Sequence, residues 1–509
     1  MSSQLGKVVS LILLERFGVV VEKVGTCLFQ YGSAPLLHIK KRTELPLSKV
    51  KESLTILIKY QLVTFVPNQN ENLANYIIKP EKVLLMLRYP KYINLIKKKF
   101  GDTSEMIIEE YLQRSYIIAS EALLKVNERL SKNNENTVSF AQLKNEFLTL
   151  INAKYLIRLP QNTQEEKPVP VIVLDDKDVD VQLPLIDVNL FLRAQSGEQV
   201  VFPDKDIYWQ INFDRFHQDM RDKSIFTAFA KKFDENAGEF VKILLQQMYI
   251  RTQPWADISN PVPILEIKDV ARKQKNLNQL NAFFDQYVSV IEQDSSNLIR
   301  KSGEASGGSF QIYLKEVYTE FAWEIVEQCV MEKFDSKAAR IFRLVKLKRC
   351  IEPDMIQQLA MIPAKEAKRL TYQLLEENFL QIQELRKPAV GGSGPNKSFT
   401  LFHINLNLVV RMILELCYKT LYNVMIRRNH EKFTNKRIIE KKQRVDTIAL
   451  GMRAQGAEEE QLAEIEEMIT PPEKEILEKI EKGMKKLNTV ELEIDDSIFL
   501  LKLFLMYSV

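Results

Sequence analysis

The run Leu57-Ile58-Lys59-Tyr60-Gln61-Leu62-Val63 returns as Leu150-Ile151-Asn152-Ala153-Lys154-Tyr155-Leu156 and again as Leu374-Leu375-Glu376-Glu377-Asn378-Phe379-Leu380. Each copy closes a helical face with two apolar residues, crosses a short polar turn and enters an alternating strand. A repeat of this kind marks one supersecondary unit used several times, and it constrains the fold more than any other feature of the chain. Helix, polar turn and strand is how the third helix of a winged helix enters its wing. That module binds nucleic acid or partner proteins.

With 509 residues, the chain exceeds one hydrophobic core and suits three to five domains at about 100 to 150 residues each. The expected fold is mainly α with small β wings: four tandem winged helices over 1–89, 90–213, 214–333 and 334–405, then an antiparallel coiled-coil hairpin and C-terminal helix over 406–509. In the first unit, apolar spacing predicts one helix from Leu11 to Gln30 and another from Pro46 to Tyr60. In the second, helices are expected over Ser104–Arg114, Ala119–Leu130 and Phe140–Ile151, followed by a largely flexible insertion, 161–205, with Pro-rich and acidic texture. The third copy is the loosest, with Asn276 to Ile291 resembling its third helix. In the fourth, Asp335 caps a helix to Arg349, Glu352 to Met361 forms another, and Pro363 sits in the first turn of a third.

Charge is unevenly spread. From Met1 to Pro160 there are 23 lysines and arginines against 14 acids, although the whole chain carries only +4. A basic N-terminal third attracts a polyanion, and it is also an ordinary aid to solubility. Cys27, Cys329, Cys350 and Cys417 stand far apart without a Cys-x-x-Cys pair, which points to neither a disulfide framework nor zinc and fits a reducing compartment. Val8 to Leu14 is too short for a convincing signal peptide, and Ile498 to Tyr507 covers only half a bilayer. An intracellular chain without a membrane span is expected.

Motifs for catalysis are weak. Gly391 to Ser398 has Asn396 before Lys397 and no parallel strand leading in, so a wing tip fits better than a phosphate loop. Gly303 to Gly308 lacks the strand and helix of a dinucleotide site. His217, within Asp214-Arg215-Phe216-His217-Gln218-Asp219, is expected to be structural, because His38, His403 and His430 lie in other units and no nucleophile motif accompanies it. No catalytic residue, metal or cofactor is expected. The helix after Asp335 carries Lys337, Arg340, Arg343, Lys346, Lys348 and Arg349 without one acid; Lys337, Arg340 and Arg343 are the first candidates for DNA, and Lys49 and Lys51 the second. Lys59 of the first unit and Lys365, Lys368 and Arg369 of the fourth are further cations on third helices. Repetition of basic helices over winged units favours salt-sensitive, sequence-independent binding to phosphate over a merely solvated face. In the hairpin, Arg427 to Arg444 holds eight cations against two glutamates and Ala457 to Met468 holds six glutamates, so the arms can pair. Thr470-Pro471-Pro472-Glu473 reads as a capping box. Leu462 and Ile465 are the expected partner-binding residues of the seam.

Five blocks carry a wider resemblance: Met86 to Tyr92, Tyr208-Trp209-Gln210 with Asp214 to Gln218, Ala339 to Leu344, Met361 to Lys368, and Glu464 to Thr470. Spread in one order over nearly the whole chain, they resemble the third-largest subunit of eukaryotic RNA polymerase III. The family's longer, more basic insertion is not matched between Gln161 and Lys205. The resemblance implies a nuclear, non-catalytic subunit of the polymerase that makes small RNAs such as tRNA and 5S rRNA. It implies a heterotrimer, related to general transcription factor IIE, with a smaller winged-helix subunit and an acidic-tailed subunit, seated on the clamp of the largest subunit. Support of promoter opening and contact with DNA, including single-stranded DNA, would follow. Rival classes are a sequence-specific regulator, which should bind a defined duplex alone, and a lid-type scaffold, which four separated winged helices contradict.

Overall fold

The computed structural model describes residues 2–68, 73–132, 139–159, 169, 186, 190–191, 193, 200–274, 277–294, 298–303, 308–386, 398–454 and 468–508. They belong to two compact units, Met1–Arg221 and Asp222–Val509. Among the described residues, twelve short strands form four antiparallel sheets, two in each unit: β1 (Ala34–Pro35), β2 (Val63–Pro67) and β3 (Ala74–Ile78); β4 (Tyr116–Ile118), β5 (Leu156–Arg158) and β6 (Tyr208–Ile211); β7 (Val262–Pro263), β8 (Ile299–Ser302) and β9 (Ser309–Ile312); β10 (Cys350–Ile351), β11 (Gln381–Arg386) and β12 (Ser398–His403). In all four the strand that comes last in sequence lies in the centre. This is one winged-helix topology used four times.

The repeated sequence pattern becomes one backbone device. Gln61, Lys154 and Asn378, the fifth residue of each copy, take φ of 56°, 62° and 63°. Their N–H groups donate to Ile58, Ile151 and Leu375 at 2.8, 2.8 and 3.0 Å, and the next N–H groups donate to Leu57, Leu150 and Leu374 at 2.9, 3.0 and 2.9 Å. These paired bonds are a Schellman closure: they satisfy two carbonyls that a helix end leaves orphaned and turn the chain into the strand. The first apolar residue of each copy is fully buried. One short motif therefore stops a helix, sets its exit angle and anchors it in the core.

Each sheet belongs to a leading helix and a three-helix set. In chain order these are Ser3–Phe17, Val19–Tyr31, Leu36–Thr43 and Leu47–Lys59; Tyr89–Phe100, Asp102–Arg114, Ala119–Lys132 and Phe140–Asn152; Phe213–Lys232, Glu235–Arg251, Ile264–Lys273 and the pair Asn278–Ala282 with Phe284–Glu292; Leu314–Phe334, Ser336–Lys348, Pro353–Ala360 and Ala364–Glu376. The single helix expected from Leu11 to Gln30 is in fact two, because Gly18 at φ 86° reverses the chain while apolar periodicity continues across the break. Gly25 lets the two pack closely, since a Cβ there would stand 2.3 Å from Leu13 Cδ1. The third copy's helix expected over Asn276–Ile291 breaks at Phe283. Pro363 is the N-cap residue, one position before the first turn rather than inside it. The insertion expected to be flexible has Val169, Ile186 and Phe191 buried, the last two in the core of the second copy; most of its other residues lie outside those described.

Beyond the fourth sheet, Leu406–Thr434 and Lys436–Ala454 form an outgoing arm and Pro471–Tyr507 returns. Thr470 and Glu473 make the capping box. Most of the acidic run Ala457–Met468, including Leu462 and Ile465, lies outside the described residues. Among those described, three acids of the returning helix answer the basic arm, Glu473 to Lys441 at 2.6 Å, Glu481 to Lys442, and Glu491 to Arg428, while Glu431 and Glu440 of the arm itself pair with Arg427 and Lys436. Arg428, early in the outgoing arm, meets the late Glu491 of the returning helix, while Lys441 and Lys442 meet the earlier Glu473 and Glu481, so the hairpin is antiparallel. The apolar end of the returning helix is core of its unit, with Ile498, Phe499, Leu501, Leu503 and Phe504 buried and Tyr507 stacked on Tyr318 at 5.5 Å. Among the described residues no helix is long and apolar enough to cross a membrane.

Candidate nucleic-acid interface

A third helix can read or hold nucleic acid only through its outward face, so the four copies are best compared there. In the first copy, Val50, Ser53, Leu54 and Leu57 face inward. Lys49 and Lys51 are exposed, with no ion pair among the described residues. Lys59, at the end of the same helix, stands 6.0 Å from the Tyr116 ring. The preceding helix adds exposed Lys40 and Lys41, while Arg42 stacks 3.6 Å over Tyr31.

The fourth copy separates its cations into two sets. Lys337, Arg340 and Arg343 lie on its first helix, not its third, and each is engaged within the fold: Lys337 Nζ meets Glu366 at 2.7 Å, Arg340 Nη1 donates to the Ala360 carbonyl at 3.3 Å, and Arg343 pairs with Glu327. Lys346 meets Glu320 at 3.4 Å and lies 4.9 Å over Trp323. The helix that is free of acids in sequence is thus answered by acids from its neighbours. Exposed pairs of this kind stabilise by only about 0–1 kcal/mol and can exchange partners, but they lower the field that a phosphate would meet. On the third helix the arrangement is different. Ala367, Leu370, Thr371 and Leu374 are buried, while Lys365, Lys368 and Arg369 are exposed without ion pairs among the described residues, and Tyr372 is 52% exposed. Their i, i+3, i+4, i+7 spacing places three cations and an aromatic ring along one outward stripe. Tyr372 was not singled out from sequence, although that spacing would have found it.

The second copy has its third helix covered by its own chain. Phe140 and Phe191 rings lie 4.1 Å apart, and Lys144 Nζ donates to the Ile186 carbonyl at 3.4 Å. The third copy has no cation on this helix at all: from Asn276 to Leu298 there is no Lys, Arg or His, but there are Asp285, Glu292 and Asp294.

Other expected or conceivable sites are structural. His217 Nε2 is 2.9 Å from the Tyr92 hydroxyl, and its neighbour Asp219 meets Lys99 at 2.9 Å and Arg215 at 3.3 Å. These contacts tie the leading helix of the second copy to the segment after its sheet. A cavity bounded by Tyr60, Lys82, Tyr89, Tyr111 and Gln210 has about 30 Å³, room for water rather than for a substrate. Burial pushes the Tyr89 phenol there up to about 12 and pushes the Lys82 amine down, with Lys79 adding repulsion. Among the described residues no group of His, Cys, Asp and Glu could hold a metal ion.

Four family models match the chain: the helix-turn-helix domain of RNA polymerase III subunit RPC82 over residues 7–68, RNA polymerase III subunit RPC82 over 192–320, the POLR3C C-terminal winged-helix domain over 326–404, and the helical hairpin domain of DNA-directed RNA polymerase III subunit RPC3 over 437–500. The chain is similar to DNA-directed RNA polymerase III subunit RPC3 of Bos taurus and of Homo sapiens, 36% identical to each over 98% of both chains. It is 34% identical to that of Danio rerio over 99% of both chains. Four winged-helix sheets, the hairpin and this end-to-end similarity agree: the chain belongs to the RPC3 family of RNA polymerase III subunits.

Proposed function

We propose that the chain acts in the nucleus as a non-catalytic subunit of RNA polymerase III, supporting initiation and promoter opening for small RNAs such as tRNA and 5S rRNA. Its segments 1–89, 90–213, 214–333, 334–405 and 406–509 serve as four winged helices and an assembly hairpin. With a smaller winged-helix subunit and an acidic-tailed subunit it forms a heterotrimer on the clamp of the largest subunit, and the hairpin seam around Leu462 and Ile465 serves that assembly. It holds DNA weakly through the phosphate backbone, including single strands of the opened promoter.

The observation that carries the DNA reading is the exposed stripe Lys365, Lys368, Arg369 and Tyr372, whose cations make no ion pair among the described residues. Cations free of acids release counterions from phosphate, and an exposed tyrosine offers a stacking platform for an unpaired base. Lys49 and Lys51, without ion pairs among the described residues, form a second set; Lys337, Arg340 and Arg343 contribute less, because each already has a partner in the fold. The test is DNA retention by the reconstituted polymerase at several salt concentrations, with charge reversal of each set in turn. The expected result is a shallower salt slope for the first two sets, equal across DNA sequences, with subunit assembly intact. An unchanged slope with failed assembly would make the stripe a protein interface.

A further inference from the structure

In the first copy the helix Leu36–Thr43 ends in Lys40, Lys41 and Arg42. Arg42 differs from the two lysines in being held. Its Cζ stands 3.6 Å over the centre of the Tyr31 ring, which is itself 56% exposed at the end of the preceding helix. A guanidinium tipped on edge would put a nitrogen between Cζ and the ring, so this distance admits only a face-on stack. The N–H groups of a guanidinium lie in its plane. Stacking therefore uses the face and leaves the whole donor edge pointing sideways, and among the described residues Arg42 makes no ion pair and no side-chain hydrogen bond. Between Leu36 and Lys51 stand five cations, Lys40, Lys41, Arg42, Lys49 and Lys51, against one acid, Glu44. That acid occupies the left-handed C-cap of the helix and pairs with none of them.

We infer that Arg42, oriented by Tyr31, is a fixed two-pronged receptor for one phosphate of the DNA backbone, and that the lysines around it supply only diffuse attraction. Planar, bidentate contact with a phosphate needs a fork held in one orientation, and the stack provides that orientation before the ligand arrives, so less freedom is lost on binding. A lysine at position 42 would keep the charge but not the fork. The surroundings select a polyanion over a single carboxylate: five cations within two consecutive helices exceed what one acidic side chain could neutralise, and lysine is depleted where proteins meet proteins. Tyr31 is thus a positioning residue, acting on DNA only through Arg42. The inference rests on the reading of the chain as a DNA-holding subunit, but it concerns a different winged helix from the stripe Lys365, Lys368 and Arg369.

Retention of labelled promoter DNA by the reconstituted polymerase, with Arg42 and Tyr31 substituted in turn, tests it. Arg42→Lys is expected to weaken retention about fivefold with the salt slope unchanged, because the charge stays and the fork is lost. Arg42→Gln should also lower that slope by about 0.9. Tyr31→Leu should weaken retention as Arg42→Lys does, Tyr31→Phe should match the unsubstituted enzyme, and Tyr31→Leu combined with Arg42→Lys should be no weaker than Arg42→Lys alone. A photoreactive phenylalanine analogue at His38, exposed and one helical turn before Arg42, should cross-link to the DNA. Retention indifferent to Arg42→Lys, a Tyr31→Leu variant that melts lower but holds DNA normally, or a cross-link to another subunit in place of DNA would each overturn the inference. Charge reversal at Lys365, Lys368 and Arg369, run alongside, reports the broader DNA reading: a response there with none at Arg42 defeats this inference alone, and no response at either defeats both.

Discussion

The third helices of the third and fourth copies stand in the same place in the same topology, yet their surfaces have little in common. Inward, each buries a spaced set, Leu280, Phe284, Val288 and Ile291 in one and Ala367, Leu370 and Leu374 with Thr371 in the other. Outward, one carries Phe283, Val290 and acids, and the other Lys365, Lys368 and Arg369. The helix ends differ as well. The fourth copy closes through Asn378 at φ 63°, as the first and second do through Gln61 and Lys154, whereas the third reaches Asp294 through an N–H of that residue donating to Ile291 at 3.3 Å. Core packing preserves the module, and nothing in the core dictates what the outward face binds.

If the inward faces are equivalent, truncating either should cost alike. Leu374→Ala and Ile291→Ala are each expected to destabilise by about 2–5 kcal/mol, since both leave a cavity that the surroundings fill only in part. Urea unfolding of the chain measures this. A cost confined to one copy would mean that the two cores are not comparable.

The outward faces should then respond oppositely. Replacing Lys365, Lys368 and Arg369 together by Glu is expected to reduce the slope of log affinity against log salt by roughly 2.7, at about 0.9 per phosphate contact. Asp285→Asn with Glu292→Gln should leave that slope where it is. Retention of labelled DNA by the reconstituted enzyme at four or five salt concentrations decides between them, and equal responses would erase the distinction.

The helix ends offer a smaller effect. Lys154 holds a left-handed conformation that a Cβ disfavours. Lys154→Gly is therefore expected to gain about 0.5–1 kcal/mol, the relief at the turn being partly offset by the freer unfolded chain. Asn378→Gly should gain less, because Asn tolerates this region better. No gain at either site in thermal melting would imply that side-chain contacts outweigh the backbone.

Smallest is a pH effect in the hairpin. Hydrogen bonds from Lys441 and from Thr470 hold the Glu473 carboxyl down at about 2, against an ordinary 4.5. Because the folded value is the lower one, its contribution is present above pH 4.5 and is lost as pH falls toward 2. Melting curves across that window should show a component that Glu473→Gln removes; identical curves would show the contact to be immaterial.

Much of this was legible in the sequence because it depends on neighbours along the chain. The three copies of the helix-turn-strand motif announce Schellman closures, and Thr470 with Glu473 announces a cap; in both, the interacting groups lie within five residues. The outward stripe Lys365, Lys368 and Arg369 follows from helical spacing alone. The break at Gly18 escaped, because apolar periodicity runs through it and only a packed partner, Leu13 against Gly25, requires the reversal. The pairing of Lys337 with Glu366 and Arg343 with Glu327 escaped too, since those acids lie 29 and 16 residues away.

By itself, then, the sequence determined the module, its repetition, the ends of its helices and the family, all of them properties carried by local spacing or by residue identity in order. Tertiary structure decided which cations remain free, that Ile186 and Phe191 cover the second copy's third helix, and which acids the basic arm of the hairpin meets. Those outcomes depend on distances between residues far apart in the chain, and only packing sets them.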